Sequence, residues 1–413
     1  MCLHYRRNEL FIEDISLKSI ANTYGTPCYV YSRSALEKNW QAFDAAFRER
    51  PHRICYAVKA NSNLSILNLF AKLNSGFDIV SGGELERVLT AQGKAANIIF
   101  SGVGKKREEI EQAIRAGVYC FNVESISELQ RLQDMARAMQ TIINISLRVN
   151  PGIDALTHSY ISTGLSENKF GIDSDEIIPL CKQIAADSNV RLIGIAAHIG
   201  SQITTLNPFA LSLDHLVTLY QQLSGLGFKL QHINIGGGLG ITYQHEQPPT
   251  IDDYAQLILT KLADCPVEII IEPGRAIVGN AGVLLTQIEY LKHNDTKNFA
   301  IVDAGMNDLI RPALYDAWQD ILPVQKRVGK AKQYDIAGPV CESADFLGKE
   351  RHLLLEPGDL LAVNSAGAYG FSMSSNYNSR CRPPEVLIDG DKLQLIRRRE
   401  TMTDLFATEN LME

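Results

Sequence analysis

Ile54-Cys-Tyr-Ala-Val-Lys-Ala-Asn61 begins as an apolar, β-favouring run and stops on a lysine, with the polar segment Asn61-Ser-Asn63 following at once. A lysine at the C-terminal end of a buried strand is costly unless a partner or a reaction retains it. Two readings are open at this point. Lys59 is a side chain snorkelling from a strand end, or it is an amine activated by desolvation or a nearby positive charge for Schiff-base chemistry.

Further runs of the same texture extend downstream. Arg53–Lys59, Phe77–Ser81, Ile98–Gly102, Tyr119–Val123, Ile142–Asn150, Leu192–His198, His232–Gly237 and Val267–Glu272 read as strands. Helix-period segments lie between them: Gly83–Gln92, Lys106–Ala116, Ser125–Met139, Glu176–Asp187, Phe209–Leu226 and Tyr254–Asp264. Eight strand–helix units within residues 35–280 fit a (β/α)8 barrel of the TIM type better than an open sheet. The unusual residues sit where such runs end: Lys59, Asp78, Arg148, His198, the Gly236–Gly240 cluster and Glu272. A barrel of this kind builds its site at that face, often with a phosphate site after the seventh and eighth strands. Those two ends are Gly236-Gly-Gly-Leu-Gly240 and Glu272-Pro-Gly-Arg275.

The chain outside the barrel has a different texture. A short helix from Ser16 to Tyr24 precedes Gly25-Thr-Pro27 and a strand, Cys28–Tyr31. Beyond residue 281 short alternating runs follow: Gly282–Lys292, Phe299–Asp303, Leu360–Val363, Glu385–Ile388 and Lys392–Arg397. Residues 1–34 with 281–413 are therefore expected to form one β-rich domain, barrel- or sandwich-like, beside the α/β barrel of 35–280.

The formal net charge of −7 argues against nucleic acid or an anionic membrane as the main partner. The basic pair Arg6-Arg7 has no apolar stretch behind it, and no run reaches transmembrane length. Eight scattered cysteines, with no C-x-x-C pair and no His/Cys cluster at zinc spacing, read as free thiols in a reducing cytoplasm.

Each strand-end feature has a bland reading. Gly236–Gly240 fails the dinucleotide pattern, because Ile241 stands where the third glycine belongs; it is a tight turn or a backbone phosphate cradle. Glu272-Pro-Gly-Arg275 is a salt-bridged turn, or an acid and an arginine beside a ligand. His198 is structural, or a flat ring for stacking, with the Ser201 hydroxyl near the same anion. One small anionic aromatic cofactor accounts for the set. Pyridoxal 5′-phosphate needs a lysine for its aldehyde, glycine-rich backbone for its phosphate, and a carboxylate for its ring nitrogen. Cys341-Glu-Ser343 alone is uninformative. Arg311 and Tyr315 share a face if helical, and Gly367-Ala-Tyr369 reads as a loop near a ligand.

Tyr56-Ala-Val-Lys-Ala-Asn61, His198-Ile-Gly-Ser-Gln202, Gly236-Gly-Gly-Leu-Gly240, Glu272-Pro-Gly-Arg275, Cys341-Glu-Ser-Ala-Asp345 and Gly367-Ala-Tyr-Gly370 together resemble the diaminopimelate decarboxylases. These belong to the alanine-racemase-like class of pyridoxal-phosphate enzymes. The resemblance runs in order from about residue 20 to Arg399-Glu-Thr401, and Met306-Asn-Asp-Leu-Ile-Arg-Pro-Ala-Leu-Tyr315 is especially specific to it. Ala196-Ala197 and Cys381 depart from the family pattern without touching an implied catalytic role.

The resemblance implies roles. Lys59 would bind the cofactor aldehyde covalently, His198 would stack on the ring, and Glu272 would pair with its nitrogen. Asp78, Ser201, Gly238, Gly274, Arg275 and Tyr369 would complete the cofactor site. Arg275, Arg311, Tyr315, Glu342 and Tyr369 would bind substrate, and Cys341 would be the proton donor, reaching the partner's site in a homodimer. The implied reaction removes CO2 from the D-centre of meso-2,6-diaminopimelate to give L-lysine. Arg311 and Glu342 would suit its distal carboxylate and ammonium. Other readings stay open: a decarboxylase of ornithine, arginine, or a carrier-tethered or polyamine precursor, and a non-catalytic carrier of the cofactor. A racemase is disfavoured because it would set an arginine where Glu272 stands.

Overall fold

The computed structural model describes residues 3–154, 163 and 168–412. The chain divides into two compact units, Asn39–Ile241 with Glu246–Ala276, and Met1–Lys38 with Thr242–His245 and Ile277–Glu413. The short Thr242–His245 excursion thus groups with the second unit, although it interrupts a span the sequence presents as continuous barrel.

The first unit is a closed parallel barrel. Its eight strands are His52–Ala57, Gly76–Ile79, Ile98–Phe100, Cys120–Val123, Ile143–Asn150, Val190–Ala196, His232–Asn234 and Glu268–Ile271, each hydrogen-bonded to the next, with the eighth returning to the first. All eight lie where the apolar runs place them. The first stops earlier than expected. It ends at Ala57, and Lys59 sits in the tight turn Val58–Ala60. Local chemistry starts the helices: Ser81, Ser125 and Thr250 accept backbone N–H groups of Glu84, Glu128 and Asp253. Buried Leu85 and Val88 in Gly82–Thr90, and Ile110 and Ala113 in Arg107–Ala116, give these helices an apolar stripe at helical spacing.

The second unit is sheet-rich. Gly282–His293 is its spine, pairing with Cys28–Ser32, Asn298–Val302 and Leu360–Val363, while Glu385–Asp389 runs parallel to Cys28–Ser32. The N-terminal strand joins the C-terminal ones, as its isolation before the barrel suggests. Val30, Val283, Leu285, Ala362, Val386 and Ile388 meet in its core. A three-stranded sheet, Leu3–Arg6, Glu9–Ile12 and Ile15–Ser16, was not legible in the sequence. Its strands are too short for alternation to register, and its turns use Arg7, Asn8 and Glu13 at positive φ instead of glycine. Lys332–Ala337 and Phe346–Leu353 are likewise strands that the sequence reading passes over.

Candidate active site

Lys59 leaves the first strand as the strand hydrogen-bonding ends, so its side chain is aimed by the turn rather than by the pleat. Its Nζ donates to Asp78 Oδ2 at 2.8 Å, and the Asp78 side chain is 1% exposed. Strand register makes the pair, because Ala57 lies opposite Asp78. The ammonium is the compensation that a buried carboxylate requires. Asp78 Oδ1 has no hydrogen-bond partner among the described residues.

Both residues line a cavity of about 380 Å³ with Asn122, Arg148, His198 and Glu272. Glu272 is buried at the end of the eighth strand, and its Oε1 accepts from Asn234 Nδ2 at 2.6 Å and Asn122 Nδ2 at 3.4 Å. Burial, reinforced by Asp78, pushes its carboxyl up to about 7; Lys59 and the Asn234 hydrogen bond oppose the shift. His198 follows the sixth strand, and its Nδ1 accepts the Gly237 N–H at 3.1 Å. Burial drives this imidazole well below its usual range, and the Arg148 and Lys59 cations push the same way. It is a neutral, flat ring, with the proton on Nε2.

The glycines are sterically required. A Cβ at Gly237 would lie 2.2 Å from the Glu272 carbonyl oxygen, and one at Gly238, where φ is +111°, would lie 2.7 Å from the Gly200 oxygen. A Cβ at Gly274 would press on Ala57 and Ala60. Ser201 Oγ accepts from Arg275 Nη2 at 3.1 Å, which ties the loop after the sixth strand to the turn after the eighth. Lys59, Asp78, His198, Ser201, Gly238, Glu272, Gly274 and Arg275 are therefore gathered at one end of the barrel.

The remaining sequence candidates belong to the second unit. Arg311 is buried and opens the one-turn helix Arg311–Tyr315, which ends on half-buried Tyr315. Its guanidinium lies 4.4 Å from the centre of the Tyr243 ring. Cys341 and Glu342 are exposed on a loop held at three points: Cys341 N–H donates to Asn378 Oδ1 at 2.7 Å, Val340 N–H to Asp345 Oδ2 at 2.7 Å, and Met306 N–H to Asp345 Oδ1 at 2.6 Å. Tyr369 is half-buried with φ of +56°, a conformation that non-glycine residues avoid without cause. Sequence reasoning missed Asn122, Asn234, Tyr243 and Asp345. Each acts through a partner remote in sequence, which no local pattern reveals.

The residues fit pyridoxal 5′-phosphate. An amine faces the cavity, a carboxyl that titrates near neutrality shares it, an uncharged ring lies beside it, and glycine turns too crowded for a side chain lie at the same end of the barrel. Residues 33–279 match the model of the pyridoxal-dependent decarboxylase pyridoxal-binding domain. The diaminopimelate decarboxylase of Haemophilus influenzae is 54% identical over 98% of this chain and 98% of its own, and that of Pseudomonas fluorescens 55% over 99% of each. The crystal structure of diaminopimelate decarboxylase from Helicobacter pylori, complexed with L-lysine, superposes with a TM-score of 0.92 at 43% identity, covering 94% of this chain and 98% of that one. Matches at this identity extend over nearly the whole chain, both units included: the chain belongs to the diaminopimelate decarboxylase family of pyridoxal-dependent decarboxylases.

Proposed function

We propose that the barrel mouth holds pyridoxal 5′-phosphate on Lys59 and that the chain there removes the D-centre carboxylate of meso-2,6-diaminopimelate, leaving L-lysine. The observation that carries this reading is the Lys59–Asp78 pair in one cavity with a carboxylate, Glu272, where a racemase needs a cation. That a relative crystallises with L-lysine agrees with the product. Residues 35–280 are the cofactor domain in this reading, and 1–34 with 281–413 the second domain. Free, scattered thiols suit a cytoplasmic home.

Bound pyridoxal phosphate supplies the electron sink for the pair left at Cα when CO2 departs. Everything else falls to side chains. Glu272, poised near neutrality, keeps a proton at the ring nitrogen. His198 offers an uncharged face for stacking, and Gly238, Gly274, Ser201 and Arg275 hold the phosphate. Asp78 receives the Lys59 ammonium whenever the lysine is not bonded to cofactor. Arg311 and Tyr315 bind the distal carboxylate, Glu342 the distal ammonium, and Tyr369 and Arg275 flank cofactor and substrate. Fixing the far end orients the scissile bond, which is where positioning contributes most. Cys341, a general acid supplied by the partner subunit of a homodimer, protonates Cα; such a step contributes on the order of 10²–10⁴-fold.

The test is amine analysis after mixing cofactor-loaded protein with meso-diaminopimelate, LL-diaminopimelate, L-ornithine or L-arginine. L-lysine from the meso isomer alone is expected. Turnover of ornithine or arginine would keep the chemistry and overturn the roles of Arg311 and Glu342.

A further inference from the structure

At and just past the strand ends, a ring of interactions runs round the barrel mouth and links each strand to the next. Asp78 accepts from Lys59, Ile79 O from Ser101 N–H at 2.8 Å, and Glu124 Oε1 from Gly102 N–H at 2.9 Å. Arg148 Nη1 donates to the same Glu124 oxygen at 2.8 Å, and its Nη2 to the His198 carbonyl at 3.4 Å. The ring closes through Gly237 N–H on His198 Nδ1, Glu272 N–H on Gly236 O at 2.8 Å, and Ala57 N–H on Pro273 O at 3.2 Å. Every one of the eight strands contributes a link.

Glu124 is the one side chain in this ring that makes two successive links yet lies outside the cavity lining. Its side chain is 1% exposed, and its other oxygen accepts the Gly171 N–H at 3.1 Å. One carboxylate thus ties three wall segments together: the loop at Gly102, the fifth strand at Arg148 and the turn at Gly171. Behind it stands a second buried pair. Lys105 Nζ donates to Glu128 at 2.6 Å and also to the Gly102 and Asn122 carbonyls, while Glu128 accepts the Glu124 N–H at 2.9 Å. Gly102 is consequently held at both its N–H and its C=O.

Buried ion pairs are a poor way to gain stability, because desolvation offsets their attraction and an apolar pair of the same volume often does better. What they do supply is fixed direction. We propose that Glu124 is a positioning residue for the reaction: through Arg148 it sets the place of His198, and through Gly102 and Gly171 the wall facing it. This rests on the barrel mouth being the decarboxylase site.

The test compares holoenzymes of wild type, E124Q, R148Q and E124Q/R148Q. The readouts are kcat and KM per bound cofactor and the visible circular dichroism of the cofactor band. For E124Q, kcat falls roughly 10–100-fold, the scale of a displacement near 1 Å, while KM stays within about threefold and the dichroic band changes. R148Q opens the same link and does not depend on E124Q folding. The double variant is no slower than the slower single one, because both act through one connection. An unchanged kcat and band in E124Q, multiplying losses in the double variant, or a rate loss equal to the loss of bound cofactor each overturns the inference. The dichroic band is read without substrate, so it tests Glu124 even where wild type yields no lysine, a result that would instead sink the proposed reaction.

Discussion

Glu272 shares its cavity with a second buried carboxylate, Asp78, and burial reinforced by that neighbour raises the Glu272 carboxyl to about 7 against the opposing Lys59 and Arg148 cations. Asp78 pairs with Lys59, and Glu272 holds its proton more tightly than a free carboxyl does. The folded chain therefore binds the Glu272 proton more tightly than the unfolded chain does. The stability that follows is fully present below the ordinary value of 4.5 and is lost as pH rises towards about 7. Urea unfolding of cofactor-free protein should show wild type losing ground to Glu272→Gln over that interval, at up to about 1.4 kcal/mol per pH unit. A difference independent of pH would mean that the carboxyl is charged throughout. Arg311 belongs to the same scale. If it binds the distal carboxylate, Arg311→Ala removes a charge-assisted bond worth about 1.5–3 kcal/mol, so KM for meso-diaminopimelate should rise roughly tenfold or more. An unchanged KM would remove Arg311 from the substrate site.

Between residues and the whole molecule, the sixth and seventh strands show what local sequence conceals. Their pairing brings Gly194 opposite His232, where the register against the fifth strand also slips. A Cβ at Gly194 would lie 2.1 Å from His232 Nε2, so the strand needs glycine there although a glycine weakens a strand by itself. Gly194→Ala should destabilise by about 1–3 kcal/mol, the range for overpacking a core, as a lower urea midpoint at unchanged slope. His232 is fully buried and pushed down to about 3 by burial, with the Arg53 cation adding to the shift. Its neutral ring contributes fully above the ordinary value of 6.5, and that contribution fades as pH falls towards 3. A His232→Gln variant should therefore lose less stability than wild type on acidification, by up to about 1.4 kcal/mol per pH unit; equal losses would mean that the ring is already charged. The sequence could announce the Gly236–Gly240 turn, because five residues suffice to display it. It could not announce Gly194, whose need for a bare backbone is imposed by a ring on another strand. Lys59, His198 and Glu272 were legible for the first reason, since each interrupts an apolar run. Asn122, Asn234 and Glu124 were hidden for the second.

At the scale of the molecule the same distinction holds. Parallel strands alternating regularly with helices write a period into the sequence, so the barrel could be counted. The second unit is made of strands joined across long separations, such as Cys28–Ser32 with Gly282–His293, and only part of it could be read. It also carries the groups whose proposed roles are hardest to place in one chain. Among the described residues lining the barrel cavity there is no cysteine, while Cys341 and Glu342 are exposed on a loop anchored by Asp345 and Asn378. If each site takes Lys59 from one subunit and Cys341 from its partner, two inactive variants must complement one another. Lys59→Ala lacks the cofactor lysine and Cys341→Ala lacks the proton donor. A mixed dimer has one site with both defects and one with neither. Co-refolding equal amounts gives mixed dimers as half of the population, so about a quarter of all sites are intact. Lysine production should then recover to about a quarter of the wild-type rate. Size-exclusion mass should correspond to two chains of 45.7 kDa. Recovery no greater than the sum of the two variants, with the dimer present, would mean that each site draws both residues from one chain and that Cys341 acts within its own subunit.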